Sequence, residues 1–245
     1  MDKINIFRKW YILFVFCAAV YGIERFCHKQ TEGFRLSHIF IHLPESDTLI
    51  EPPKVLYQPF HYMGKGGQFY VFLSEDKQYV LKFFKGNHIK SLKLNNLIDS
   101  CFIAEDVLTK ECGLVYSHLY NTPSNAIPIT LFDKLHIAHK IDARSTGFIL
   151  QRYALPVQAH ITKLMEQQED AQASLNSLIA MIQECKDKGI SHSDANVLTN
   201  CGFIDNQPVF TDIGNFSYSQ NPQVKIKGIA SLSLWLDTYY PNLNL

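Results

Sequence analysis

The dominant hydrophobic period of this 245-residue chain shifts near Pro156. From Tyr57 to that point, apolar residues come in short β-branched or aromatic runs. YQPFHYM, QFYVFL and YVLKFF are separated by GKGG and SEDKQ, and LVYSHL, ITLFDKL, HIAHKI and GFILQRY follow. Runs of this length between turn-forming residues predict strands. One helical pattern interrupts them, over 99–112. It has Phe102, Ile103, Val107 and Leu108 on one side, Asp99 or Ser100 as cap and Gly113 as a left-handed stop. Beyond Pro156 the spacing turns helical: weakly over 158–168, strongly over 171–188 through Leu175, Leu178, Ile179 and Ile182, and again over 224–239. Short strands are expected at 201–204 and 208–211. This is not the regular alternation of a doubly wound sheet. It predicts an α+β chain of two lobes, β-rich to about residue 150 and helical after it.

Composition narrows the class. Lys+Arg and Asp+Glu are equal at 23 each, which argues against a nucleic-acid binder working through a basic surface. The 47% hydrophobic and 13% aromatic content excludes a disordered chain. Cysteines at 17, 27, 101, 112, 185 and 201 form no Cys-x-x-Cys pair and no zinc-ligand spacing, so they read as reduced, partly buried thiols.

Residues 10–23, WYILFVFCAAVYGI, carry no charge and lie between Arg8-Lys9 and Glu24-Arg25. As a membrane anchor the run is short of the roughly 20 residues a spanning helix wants unless flanking arginines snorkel. As a cleaved signal it offers only a poor site at Val20-x-Gly22. A helix packed on the domain is the third reading, and the anchor is preferred. Basic residues on both sides leave orientation unspecified. The expected organisation is 1–29 anchor or signal, 30–56 linker (with SHIFIHL, 37–43, as a short strand), 57–154 β-rich lobe, and 155–245 helical lobe.

Three local patterns could carry chemistry. Gly64-Lys65-Gly66-Gly67 fails as a dinucleotide fingerprint, because Phe69 stands where the third glycine belongs and a strand follows. It fails as a Walker A loop for want of Gly-Lys-Ser/Thr. It fits a β-hairpin of pattern G-x-G-x-x-x-x-V through Gly64, Gly66 and Val71. Next, alternation puts Val80, Lys82 and Phe84 on one face of the following strand. A lysine among apolar neighbours needs a counter-charge; Glu105 is the preferred partner and Glu111 the alternate. Third, Ile190-Ser191-His192-Ser193-Asp194 follows a helix stop, with Asn200 and Thr211-Asp212-Ile213-Gly214 after it.

Together these patterns resemble the protein-kinase-like superfamily, in its compact, divergent bacterial form, with a fainter likeness to kinase-like proteins of chlamydia-type bacteria. His192-x-Asp194 is similar to the His-Arg-Asp catalytic loop, and Asp212-Ile213-Gly214 to Asp-Phe-Gly, 18 positions on. GKGGQFYV and VLK are similar to the Gly-rich loop and the strand-three lysine. The resemblance covers roughly 57–220. It implies a two-lobed kinase-like fold with a β-rich N-lobe and a reduced helical C-lobe, behind an N-terminal hydrophobic helix. It implies ATP and Mg²⁺ as cofactors. Gly64, Gly66 and Gly67 would approach the phosphates, and Val71 and Val80 would wall the adenine. Gln151 to Tyr153 would form the hinge, Lys82 with Glu105 would hold the α/β-phosphates, Asp212 and Asn200 the metal, and Asp194 would be the base.

There are departures. Thr199 occupies the place of the metal-binding Asn, and Asn200 is one residue late, as a single insertion would make it; Asn196 is the alternative. Asn196 also replaces the catalytic-loop Lys, Ser193 replaces Arg, and 31 residues follow Gly214 with no Ala-Pro-Glu. The resemblance therefore implies either a phosphotransferase acting on a small-molecule, sugar or lipid-linked acceptor in preference to protein, or a pseudokinase, a kinase-fold interaction module without turnover. The expected partners are nucleotide and an unknown phosphate acceptor or protein partner, the membrane is met through residues 10–23, and the use of ATP puts the domain on the cytoplasmic side.

Overall fold

The structure is a computed structural model that describes residues 2–46, 51–86, 91–121, 126–194, 196–220 and 227–245. It opens with α1 (Asp2–Thr31), in which the stretch Arg8–Thr31 is apolar on average, uncharged over 10–23, and unburied. Trp10, Phe14 and Phe26 are each more than 60% exposed. A helix that is hydrophobic on every side has no favourable orientation in water. At 1.5 Å per residue the 24-residue stretch is about 36 Å long, enough to cross a bilayer core. It is long and apolar enough to be a membrane anchor, and a signal sequence would have the same character. It does not pack on the rest of the chain. Gly33, at φ +74°, ends it, with Gly33 N–H donating to His28 O at 3.0 Å.

The segment expected as a linker is packed. Phe34, Ile39, Leu43 and Leu56 are at most 5% exposed, and in place of a strand at 37–43 there is a 3₁₀ turn at Leu36–His38. Irregularly spaced single apolar residues anchor this segment, and periodicity does not register them.

Seven strands form one curled sheet: β1 (Pro59–Lys65), β2 (Phe69–Ser74), β3 (Tyr79–Phe84), β4 (Leu114–His118), β5 (Pro128–Phe132), β6 (Ala138–Asp142) and β7 (Phe148–Arg152). Their order is β4-β7-β3-β2-β1-β5-β6, antiparallel except for β1 beside β5. One face builds an aromatic core of Phe34, Phe60, Tyr70, Phe72, Phe83 and Phe148. The other turns Phe69, Phe84 and Ile149 toward the helical part. Lys82 pairs with Val71 on one side and Ile149 on the other, so its side chain leaves on that second face.

Helix α2 (Ser91–Asp106) packs there through Leu97, Cys101 and Ala104. It starts and stops earlier than the pattern over 99–112 suggests, because Leu94, Leu97 and Ile98 extend the apolar stripe backward. The helical half contains β8 (Leu155–Pro156), α3 (Val157–Glu166), α4 (Ala171–Asp187), β9 (Ile190–His192), α5 (Val197–Asn200), β10 (Cys201–Ile204), β11 (Gln207–Phe210), β12 (Phe216–Tyr218) and α6 (Lys227–Tyr239). Asp170 caps α4 by accepting from Ala173 N–H at 3.0 Å. Asp205 and Asn206, both at positive φ, turn the β10–β11 hairpin. The positions expected for β10, α3 and α4 agree to within two residues.

Burial holds His118, His160 and His192 below the ordinary histidine pKa, each being at most 4% exposed. They are neutral in the fold and protonate near 6.5 when unfolded. Below that pH the unfolded chain binds more protons, so stability is complete above about pH 7 and falls as pH drops through 6.5, by up to roughly 1.4 kcal/mol per pH unit per histidine. Urea midpoints at pH 7.5 and 5.5 check this; equal midpoints would contradict it.

Candidate active site

The β1–β2 hairpin, the β7–β8 connection, the loop after β9 and the segment after β11 converge on a cleft between the sheet and the helical half. Its deeper part is a cavity of about 340 Å³ lined by Gly66, Gly67, Lys82, Asp194, Asn200 and Asp212, with Gln68, Thr199, Thr211 and Asn215 among the rest. The structure thus brings seven of the sequence-predicted residues, Val71 included, into one cavity, from positions up to 146 residues apart.

A Cβ built on Gly66 or Gly67 would meet nothing within 4 Å, and neither glycine is at positive φ. The fold itself makes no demand for glycine there; bare backbone facing the cavity is what distinguishes these positions. Lys85, 6% exposed, holds the loop from behind: its ammonium donates to Gly66 O and lies 4.9 Å over the Tyr70 ring. Gly64 sits earlier, at the register irregularity in β1, and lines neither this cavity nor the apolar one beside it.

The Lys82 ammonium donates to the backbone carbonyl of Thr211. Burial lowers its pKa, and the Asp212 carboxylate opposes that shift. The two glutamates weighed as its partner are engaged elsewhere. Glu105, in the last turn of α2 on its exposed side, accepts from Ser117 Oγ at 2.8 Å, and Glu111 pairs with Lys188. Two buried cysteines, Cys112 and Cys101 (the latter one turn before Glu105 on α2), lie nearer Lys82, and burial keeps both thiols neutral. The expected Lys82–Glu105 pair is therefore replaced by a lysine–carbonyl contact.

Asp212 is fixed by Gly214 N–H, donating to Oδ1 at 3.1 Å, and by Asn215 Nδ2, donating to Oδ2 at 3.3 Å. Ser100 Oγ, fully buried on α2, donates to Ile213 O at 2.5 Å and accepts from Phe216 N–H at 2.7 Å, which ties the helix to this segment. His192 Nε2 donates to Asp212 O at 3.2 Å, and its ring stacks on Phe210 at 5.5 Å. That bond sets the tautomer and leaves the buried Nδ1 an unpaired acceptor. Asn200 Nδ2 donates to Asp194 O at 2.5 Å, and its Oδ1 accepts from Thr199 Oγ1. Asn196 instead caps α5 by accepting from Leu198 N–H at 3.2 Å. Asp212 and Asn200 present hard oxygen donors, a set suited to a magnesium-like cation that keeps waters and substrate oxygens as further ligands.

Beside this cavity lies a more apolar one of about 230 Å³. Val71, Val80, Gln151 and Tyr153 line it, with Met63, Ala154 and Phe210. Gln151 is 3% exposed; its Nε2 donates to Cys112 O at 2.7 Å and Phe210 O at 3.3 Å, while Oε1 is buried without a partner. The N–H groups of Arg152 and Tyr153 already donate to Gly113 O and Gln78 O. Tyr153 is thus left with its carbonyl and ring as means of contacting a ligand.

No family model matches the chain, and no curated protein matches it in sequence. Among solved structures it is similar to WbdD co-crystallised with a kinase inhibitor, at a TM-score of 0.37 and 16% identity over 74% of this chain and 37% of that one. It is also similar to a high-resolution WbdD structure, at 0.36 and 16% over 70% and 35%, and to the bifunctional kinase-methyltransferase WbdD, at 0.36 and 15% over 70% and 34%. The chain spans little more than a third of these neighbours.

Sequence reasoning missed Gln68, Thr211, Asn215 and Lys85. Three of these adjoin the motifs directly, and adjacency was the available signal. Gln68 Nε2 donates to Gly214 O at 3.4 Å, closing the hairpin tip onto the Asp212 segment.

Proposed function

We propose that the chain is an ATP-dependent phosphotransferase of kinase-like fold, with residues 57–154 as N-lobe and hinge and 155–245 as a reduced helical C-lobe. The observation that carries this reading is the convergence of Lys82, Asp194, Asn200 and Asp212 with two bare glycines on one cavity that adjoins an apolar slot. Phosphoryl transfer is mostly positioning and charge neutralisation, and this set supplies both. The base would lie in the slot between Val71, Val80 and Tyr153. The glycine backbone would cover the phosphates, and the Lys82 ammonium would leave the Thr211 carbonyl for phosphate oxygens. Asp212 and Asn200 would hold Mg²⁺, which neutralises phosphate charge when bound. Asp194, exposed at the cavity mouth, would take the proton of the acceptor hydroxyl. With α1 as anchor the domain would work at the cytoplasmic face of a membrane, on a small-molecule, sugar or lipid-linked acceptor.

Consumption of ATP labelled at the γ-phosphate, followed with full-length protein, tests this. Asp194→Asn is expected to lower turnover about 100- to 10,000-fold while leaving nucleotide binding intact. Equal turnover in the variant would contradict the role. A second reading, a pseudokinase that binds nucleotide without turnover, is favoured by Glu105 standing on Ser117 instead of on Lys82. It predicts nucleotide binding with no ATP consumption in either protein.

A further inference from the structure

A further cavity, of about 880 Å³, adjoins the proposed nucleotide site. It lies between α2 and the segment 214–218, and its position relative to the other two cavities is informative. The apolar slot and the Lys82–Asp212 cavity share Val71, Lys82, Thr199 and Thr211 as walls. The Lys82–Asp212 cavity and the large one share Gln68 and Asn215. The three therefore run in series, and Ser193, next to Asp194, opens into the third. In phosphoryl transfer the attacking and leaving oxygens lie roughly in line across the phosphorus. A nucleotide with its base in the slot and its phosphates in the middle cavity would receive its acceptor from the side of the large one.

We propose that this cavity is the acceptor site and that it takes a neutral, hydroxyl-rich molecule of saccharide type. The assignment rests on the phosphotransferase reading and adds its substrate class. The volume is within the roughly 300–1,000 Å³ of small-ligand pockets. Along α2, Asn96, Asp99 and Asp106 present carboxamide and carboxylate groups at helical spacing, suited to adjacent hydroxyls. Phe102, held by stacking on Tyr120 at 5.4 Å, and Tyr218, 66% exposed, give the ring carbons of a sugar apolar faces. Among the described residues the wall carries two carboxylates against the single ammonium of Lys93, which disfavours an acceptor that is already phosphorylated. In the reaction an acceptor hydroxyl oxygen bonds to the γ-phosphorus and the bond to the β-bridging oxygen breaks. ADP leaves with that electron pair, and the hydroxyl proton passes to the Asp194 carboxylate.

The test uses full-length protein in nanodiscs with Mg²⁺ and ATP labelled at the γ-phosphate. It offers methyl hexosides, hexose 6-phosphates, casein, and discs containing a neutral glycosyl-diacylglycerol. Label is expected on the free hexosides or on the glycolipid headgroup, the two arms separating a soluble from a membrane source. Asp99→Leu and Tyr218→Ala, on opposite walls, are each expected to raise the acceptor KM at least tenfold while the melting shift caused by Mg-ATP persists. Label on casein or on hexose 6-phosphates alone, transfer indifferent to both variants, or a Mg-ATP melting shift with no acceptor labelled would overturn the assignment. Absence of any Mg-ATP melting shift would strike the phosphotransferase reading itself, and the acceptor site with it.

Discussion

Lys82→Met should lower turnover by two to three orders of magnitude (about 100- to 1,000-fold) without weakening the fold. Lys82 sits on the face of β3 that carries Phe84, beside the neutral thiol environment of Cys101, and burial holds its pKa down. A charged group kept in such a place costs folding free energy, because its hydration is incompletely replaced. Its contacts in the fold are the Thr211 carbonyl and the through-space field of Asp212. Methionine has similar length and no charge, so the melting temperature should stay level or rise. Losing a positioned donor to developing phosphate charge should lower turnover about 100- to 1,000-fold. Turnover assays and thermal melts on the same preparations check both halves. Parallel loss of stability and activity would make Lys82 a structural residue.

Phe72→Ala is the substitution expected to damage the fold most. Phe72 is fully buried in β2, with ring centroids of Phe34 at 5.4 Å, Tyr62 at 5.5 Å and Phe83 at 5.9 Å around it. Removing the ring forfeits its burial and leaves a cavity between strands that cannot close, a loss of about 3–5 kcal/mol. Urea unfolding should show a lower midpoint at unchanged slope. A cost under about 1 kcal/mol would mean that the sheet repacks around the gap. Because Phe34 contributes to this cluster, the residues just after α1 belong to the domain's core.

The strands were legible as short apolar runs between turn residues, and α4 because its apolar stripe is long and regular. The side on which Lys82 leaves β3 followed from alternation alone. Asp194 and Asp212 were legible as short patterns at a familiar separation. The pairing of β1 with β5, and the β5–β6 hairpin added beyond it, were not, since local patterns do not encode which strands meet. The packing of Phe34, Ile39, Leu43 and Leu56 was hidden in a segment whose Pro and acidic residues read as linker. Glu105 was misplaced because the start of α2 was read at least eight residues late, at a spurious cap. That shift made a last-turn, exposed glutamate look central, and moved attention from Cys101.

The central claim is that Asp212 belongs to a magnesium-dependent nucleotide site. Thermal melting of the full-length chain, with and without Mg-ATP, beside Asp212→Ala, addresses it directly. With ATP at ~100 times its dissociation constant the wild-type protein should gain roughly 2.7 kcal/mol, only when Mg²⁺ is present, and Asp212→Ala should gain nothing. No stabilisation by any nucleotide, or an equal shift in the variant, would contradict the account.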